Sequence, residues 1–413
     1  MEETVYTKNE IKAILETCLS NENVTDICVD IIGNSEKGDG YMGDIIFVRV
    51  TGKTKDGSVK EYNLVVKGSK KNKILRDTSA MKEFFRNEIH FYSTLLPIYT
   101  KFQLEKGAEE TFNCVPKCYG FVKTDNQEVL VFENLSKSRY YIWDKKTPLS
   151  RNHIDLVVGE YAKFHAISAA VKHQQTRKFD ELTKPLRHLY KELGERGAKV
   201  MEAFESAIEE IYDLLKDDLD EDVVLKWRSL RERFQSILFG LMTDFNGFEV
   251  VTHGDCWNNN FMFQSVTDDS NVPSRVRILD WQISNVGSPV FDLSHFLFAC
   301  ISEKDLNDID LILEQYHNDF STHLRRLGSD PDALYPLAQF LAEWNKYSRV
   351  GILFTSLIMK LCTVDKDDLS EMSEIVKQGH FANVFQFDVR NKTNLKGRMR
   401  PIVKYVVENG LID

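Results

Sequence analysis

Apolar and polar positions change rhythm several times along the chain, and each change marks a different element. Near the start, Ile11, Ile14, Leu15 and Leu19 recur at helical spacing, which predicts a helix within residues 1–25. Three β-rich runs follow, Ile27–Ile32, Ile45–Val50 and Tyr62–Lys67, the last after the turn signal Asp56-Gly57. Strands joined this closely predict an antiparallel meander. From Ala80 to Tyr92 the period is helical again, with Phe84, Phe85, Ile89 and Tyr92 on one face and charge on the other. Two more strands are expected at Cys118–Lys123 and Val129–Glu133. Beyond Leu135 strands become rare. Residues 154–168 have a helical period, residues 176–245 form a charged, Leu-rich stretch broken at Pro185 and Gly194, and the chain from Phe291 onward reads mainly helical. The exception is a β-rich island at Glu249–Phe263 and Val276–Asp280.

This order predicts an α+β chain with a small antiparallel β-sheet lobe over residues 1–134 and a large helical lobe over residues 135–413. A hinge falls near 133–135, and residues 173–248 read as a helical insertion. A chain of 413 residues suits two or three packed units. With 42% hydrophobic and 28% charged residues it can bury a core, which excludes a disordered chain. Its 53 basic against 63 acidic residues give a net charge of −10 without a basic tail, which argues against nucleic acid or an anionic membrane as partner. The opening MEETVYTKNE has no apolar core of a secretory signal. The longest apolar run, Gly351–Cys362, is broken by Thr355, Ser356 and Lys360 and reads as a buried helix, not a membrane span. Seven cysteines lack both pairing and zinc spacing, since Cys114 and Cys118 have no second pair nearby. Reduced thiols in a cytoplasmic protein are expected, and no protein partner is implied.

Candidate chemistry begins at Gly38-Asp39-Gly40-Tyr41-Met42-Gly43, a G-x-G-x-x-G loop. A dinucleotide fingerprint would open a helix here, whereas residues 44–50 are strand-like. A glycine loop between two strands instead suits the cover over ATP phosphates, with a plain glycine hairpin as the alternative. Lys67 ends the third strand in Leu64-Val65-Val66-Lys67, and Glu88 lies in the next helix, where its carboxylate can fix a phosphate-binding ammonium. Val65 would pack on the adenine ring, and backbone groups of Glu133 and Leu135 can bond the base. The strongest signal is Val250-Val251-Thr252-His253-Gly254-Asp255-Cys256-Trp257-Asn258-Asn259-Asn260, followed by Ile278-Leu279-Asp280-Trp281. Asp255 and Asn260 have the D-x-x-x-x-N spacing in which a carboxylate takes the proton of an attacking hydroxyl and an amide oxygen holds metal. Asp280, ending an apolar strand, suits a Mg²⁺ ligand shared with phosphates. His253 and Asp292 are expected to brace this loop, His165 to be a satisfied core histidine, and Cys256 to be a small filler.

With HGDCWNNN, ILDWQ, PVFDLSHF, KGDGYMGD, FFRNEIHFY and VLVFENL in this order, the chain resembles the aminoglycoside phosphotransferase and choline kinase-like superfamily. Within it, the resemblance is to the ecdysteroid kinase-like proteins. That resemblance implies a protein-kinase-like two-lobe fold, ATP with Mg²⁺, and phosphate transfer to a hydroxyl of a small molecule, a steroid in the ecdysteroid kinases themselves. Two features favour a small acceptor independently. The segment Asp280–Asp292 is too short for a peptide-docking activation loop, and Trp257 stands where a serine/threonine protein kinase carries lysine. The aromatics Tyr140, Tyr141, Trp143, Phe291, Phe296, Trp344 and Tyr347 are candidates for an apolar wall, and acid clusters near the motifs are lacking, so a mainly apolar acceptor is expected. A choline- or ethanolamine-type kinase and a catalytically silent binding protein are the alternatives.

Overall fold

Thr7 opens the first helix through a reciprocal cap. Its Oγ1 accepts from the Glu10 amide while the Glu10 carboxylate accepts from the Thr7 amide at 2.8 Å, so two otherwise orphaned donors are satisfied. In the computed structural model, residues 6–34, 43–109, 111–188, 198–242, 245–266, 270–364, 387 and 389–413 are described. Helix α1 (Lys8–Cys18) lays Ile11, Ile14, Leu15 and Cys18 on one face of a five-stranded sheet. The strands are β1 (Val24–Asn34), β2 (Gly43–Thr54), β3 (Val59–Ser69), β4 (Cys118–Lys123) and β5 (Glu128–Glu133). Their spatial order is β1-β2-β3-β5-β4, antiparallel throughout.

Strand alternation then sorts the side chains by face. Leu64 and Val66 of β3, with Val129 and Val131 of β5, join the α1 cluster, whereas Leu130 and Phe132 enter the main core on the other face and Val65 packs against it. Lys67 is in phase with Val65. The same two-residue period that buries β3 therefore delivers its lysine to the face opposite α1.

Two short turns of helix, α2 (Lys73–Thr78), lead into α3 (Met81–His90), which runs through a π-helical turn, Phe91–Leu95, into α4 (Leu96–Glu105). The buried face of α3 carries Phe84, Phe85 and Ile89 as the sequence predicts, but also Asn87 and Glu88. After β5, the Asn134 side chain accepts from the Ser136 amide at 3.1 Å and starts a 3₁₀ turn, Leu135–Ser138. The β-rich island divides into short pieces. Strand β6 (Tyr141–Ile142) pairs with β8 (Phe261–Ser265), which pairs with β9 (Pro273–Ile278), while β7 (Val250–Thr252) pairs with β10 (Asn285–Gly287).

Around these strands stand α5 (Arg151–Gln174), α6 (Thr176–Thr183), α7 (Ala198–Leu215), α8 (Glu221–Met242), α9 (Pro289–Cys300), α10 (Ile309–Arg326), α11 (Leu337–Tyr347), α12 (Arg349–Thr363) and α13 (Lys392–Glu408). Helix α9 is buried on all sides, as a central helix must be when apolar residues surround it. The α+β class expected from the sequence is the one observed, a small antiparallel sheet beside a large helical part. Gly351–Cys362 lies buried in α12, and among the described residues no helix is long and apolar enough to cross a membrane. The seven cysteines are unpaired, and the acids at Asp217, Asp218 and Asp220, between α7 and α8, and at Glu221 and Asp222, in the first turn of α8, sit exposed.

Candidate active site

Lys67 reaches from β3 into a cluster of carboxylates. Its ammonium lies 2.7 Å from Glu88 of α3 and 3.0 Å from Asp280. With its amide oriented to satisfy both neighbours, Gln282 accepts from Lys67 at 3.0 Å and donates to Asp280 at 3.2 Å. Burial opposes charge on Lys67, but Asp280 and Glu88 outweigh it and hold the ammonium above its usual range. Glu88 is closed off from water, while about one third of the Asp280 side chain remains exposed, 32%. Asp280 also adopts a left-handed backbone, φ 60°, and starts the 3₁₀ turn Trp281–Ile283. The Trp281 ring beneath it stacks on Phe91 at 3.9 Å and donates its indole N–H to the Ile278 carbonyl. Asn87, one residue before Glu88, donates to the Ser284 carbonyl at 3.3 Å, so α3 grips the turn at two points.

Gly43 begins β2 beside this cluster. A Cβ there would lie 2.7 Å from the Gly68 carbonyl and 2.8 Å from the Phe85 ring, so only glycine fits. Gly38 and Gly40 lie outside the described residues.

The second half of the site is the turn after β7. Gly254 sits at φ +87° with its Cα against Ile283, where a Cβ would meet the Ile283 carbonyl at 2.7 Å. The next residue, Asp255, is held through its Oδ2 by the Asn260 amide N–H at 2.7 Å, and Asn260 also donates to the Asp255 carbonyl at 2.9 Å. Both bonds use Nδ2, which leaves the Asn260 amide oxygen as an acceptor. Burial, with the Asp280 carboxylate adding to it, pushes Asp255 up to about 7. The Asn260 carbonyl accepts from the Leu279 amide at 2.8 Å, tying this turn to the residue before Asp280.

Below the turn, Asp292 of α9 accepts from the His253 amide at 2.6 Å and the Gly254 amide at 2.8 Å. His165 of α5 donates to it at 3.1 Å and is itself bonded to the Tyr316 hydroxyl at 2.9 Å. Burial would raise the Asp292 pKa, but His165 and the His253 amide hold it below the usual carboxylate range. His253 is neutral, lowered mainly by burial; its Nε2–H donates to the Leu279 carbonyl at 2.8 Å, and its Nδ1 accepts from the Asp255 amide at 3.3 Å. The bracing expected of His253 and Asp292 is thus present, and the satisfied core histidine at 165 is its third member. Cys256 is fully buried beside them.

The hinge residues are placed less freely. The Glu133 amide donates to the Lys117 carbonyl at 3.0 Å and its carboxylate accepts from the Lys117 amide, so only its carbonyl remains to meet a base. The Leu135 carbonyl accepts from Tyr140, whereas its N–H has no partner among the described residues. Val65 is half-buried beneath them. Of the aromatic candidates, Phe291 lines a cavity beside Gly254, while Phe296 and Trp344 pack the core. Sequence reasoning missed Asn87, Gln282 and His295. Only Asn87 carried a signal, a polar residue on the buried face of a predicted helix.

The sequence profile described as the ecdysteroid kinase-like family matches residues 37–329, well over half of the chain. The chain belongs to that family. Among solved structures, it is similar to the GDP complex of wild-type aminoglycoside 2'-phosphotransferase-IIIa, at 13% identity over 98% of this chain and 100% of that one, with a TM-score of 0.44. It is also similar to a choline/ethanolamine kinase family protein from Mesorhizobium loti, at 11% identity over 95% and 98% of the two chains, with a TM-score of 0.30. A glucosamine kinase is similar at 10% identity over 90% of this chain and 96% of that one, with a TM-score of 0.26. No curated protein matches this member of the family.

Proposed function

We propose that the protein is an ATP- and Mg²⁺-dependent kinase that phosphorylates a hydroxyl of a mainly apolar small molecule, an ecdysteroid-like steroid or a xenobiotic alcohol. The observation that carries this reading is the Lys67 ammonium held between Glu88 and Asp280, with Asp280 bound through Leu279 to the Asn260–Asp255 turn. Lys67 neutralises phosphate, positioned by Glu88. Gly38, Gly40 and Gly43 form the cover over the phosphates, and Val65, the Glu133 carbonyl and the Leu135 N–H meet adenine. Residues 1–134 then serve as the nucleotide lobe. Residues 135–413, with 173–248 as a helical insertion, present the acceptor.

Asp255 orients the acceptor hydroxyl and takes its proton as the oxygen attacks the γ-phosphorus; the new O–P bond forms while the bond from that phosphorus to the bridging oxygen breaks, and ADP departs. The Asp255–Asn260 bond fixes the carboxylate that must do this. Among the described residues no group of three or more His, Cys, Asp or Glu side chains gathers to hold a metal. The donors present are one exposed carboxylate oxygen edge at Asp280 and one amide oxygen at Asn260, hard ligands that suit Mg²⁺ completed by phosphate oxygens. When bound, Mg²⁺ supplies neutralisation of charge developing on the phosphates. A cytoplasmic location fits this chemistry, which needs cellular ATP.

The test is ADP release and product phosphorylation with purified protein, ATP and Mg²⁺, on panels of hydroxysteroids and of choline-like cations. Turnover of apolar alcohols that is lost in Asp255→Asn is expected. Turnover of choline alone would move the acceptor class, and no turnover of any alcohol would leave a binding protein.

A further inference from the structure

A neutral side chain, Gln282, is buried inside the charge cluster of Lys67, Glu88 and Asp280, with 4% of its surface exposed. Its amide can face that cluster in two ways. In one, the N–H₂ group meets the Lys67 ammonium at 3.0 Å and the oxygen meets Asp280, donor against donor and acceptor against acceptor, in return for a long 3.4 Å bond to Glu88. In the other, the oxygen accepts from Lys67 at 3.0 Å and the N–H₂ donates to Asp280 Oδ1 at 3.2 Å. The charges on the two partners dictate the second. Lys67 donates to the same oxygen, Oδ1, at 3.0 Å. Both bonds therefore converge on one edge of the carboxylate, and among the described residues its other oxygen, Oδ2, has no hydrogen-bond partner. Asn260 is arranged in the same way: both of its side-chain bonds run from Nδ2 to Asp255, and its amide oxygen is left over. Each of the two hard oxygens is open because the atom beside it is tied.

The two ties on Asp280 differ in permanence. Lys67 stands at the end of a flexible stem, and neutralising phosphate takes its ammonium off Oδ1. A carboxylate turns readily about its last bond, so Asp280 without a second tie would exchange its two oxygens once the lysine moved. Gln282 does not move with it. It lies two residues after Asp280, in the turn Trp281–Ile283, and the stacking of Trp281 on Phe91 at 3.9 Å holds that turn. We propose that Gln282 is a positioning residue for the metal ligand: its N–H₂ keeps Asp280 Oδ1 while Lys67 serves the phosphates, so that Oδ2 stays turned towards the divalent cation. The inference rests on the kinase reading above and deepens it, by adding a side chain that acts through Asp280 and not on the nucleotide. Affinity for metal and affinity for nucleotide then depend on different atoms of one cluster, and a change at Gln282 separates them.

The test uses the full-length protein, ADP, and Mn²⁺ as a spectroscopic substitute for Mg²⁺. Free Mn²⁺ is read by electron paramagnetic resonance, and ADP affinity is read by calorimetry in EDTA, where metal contributes nothing. Gln282→Met keeps the length of the side chain and loses both bonds. It is expected to weaken Mn²⁺ binding in the ADP complex by about 10–100-fold, the range for removing a group that orients a metal ligand, and to leave ADP affinity in EDTA within about twofold. Gln282→Asn, one methylene too short to reach Asp280, should show the same split, and it decides the matter if the methionine variant does not fold. A merely structural role for Gln282 would weaken metal and nucleotide together, and a role confined to holding Lys67 would weaken ADP alone; either result overturns the inference. Variants that bind Mn²⁺ as wild type does overturn it as well, and leave the kinase reading standing. Wild type that binds Mn²⁺ no better with ADP than without it overturns both.

Discussion

Two buried carboxylates flank the candidate site, and they are held in opposite ways. Glu88 on α3 faces the ammonium at the end of a flexible lysine, shared with a half-open aspartate. Asp292 on α9 faces two backbone amides and an imidazole, all fixed by secondary structure or by Tyr316. The first arrangement can redistribute its bonds, as the proposed phosphate binding requires, because Lys67 has donors and reach to spare. The second has no such freedom. It sets the shape of the Gly254–Asp255 turn once, on folding. One helix therefore contributes adjustable charge to the site, and the other contributes a rigid frame.

The largest expected effect breaks the frame. Asp292→Ala strands two buried amides and His165, and should cost about 3–5 kcal/mol of stability, the range for removing one member of a buried charged network. Chemical denaturation would read this directly, and an unchanged midpoint would deny Asp292 its supporting role. Next comes Lys67→Met, expected to reduce kcat/KM by about 10²–10³ while costing less stability than Asp292→Ala, since Glu88 can take up a proton. Paired with Glu88→Gln in a double-mutant cycle, its effect on kcat/KM should be non-additive; additive losses would mean the two do not act as a unit.

A smaller effect has the opposite sign. Asp255 is raised from 3.8 to about 7, so in metal-free protein the unfolded state ionises before the folded one. Stability is therefore lost as pH climbs from about 4 to 7 and stays lost above it. Asp255→Asn removes that penalty and should raise Tm by a few degrees at pH 8, with the gain shrinking towards pH 4, while abolishing turnover. A gain that grows on acidification would refute the buried-acid description. The smallest change lies outside both clusters: Thr7→Ala removes the α1 cap and should cost about 1 kcal/mol with kcat unchanged.

Much of this was legible because it is local. The alternation of Leu64, Val65, Val66 and Lys67 gives the lysine its face, and the five-residue step from Asp255 to Asn260 closes a bond within one turn. What stayed hidden depends on distant chain segments. Asn87 meets Ser284 across 197 positions, and His295 meets the Cys256 amide only because α9 packs against the Gly254 turn. The helix expected at Ala80–Tyr92 relaxes into a π turn over Phe91–Leu95, just ahead of Pro97, whose ring opposes the carbonyl four residues back, and there Phe91 meets Trp281. Of the aromatic candidates for an acceptor wall, Tyr141 bonds His153 and Ser265 and Trp143 bonds the Pro148 carbonyl, partners that composition alone does not reveal.

The stacked pair of Trp281 on Phe91 has a consequence for control. If Asp280 holds metal as proposed, a following residue small enough to swing would give the protein an off position, from which a signal could release it. Here the following residue is a fully buried indole, laid flat on Phe91 with its N–H spent on Ile278. To turn Asp280 away, the protein would have to pull that ring out of its core, at a cost of several kcal/mol by area alone. An arrangement so fastened has one posture. On the kinase reading proposed above, product should accumulate from the moment of mixing with no lag.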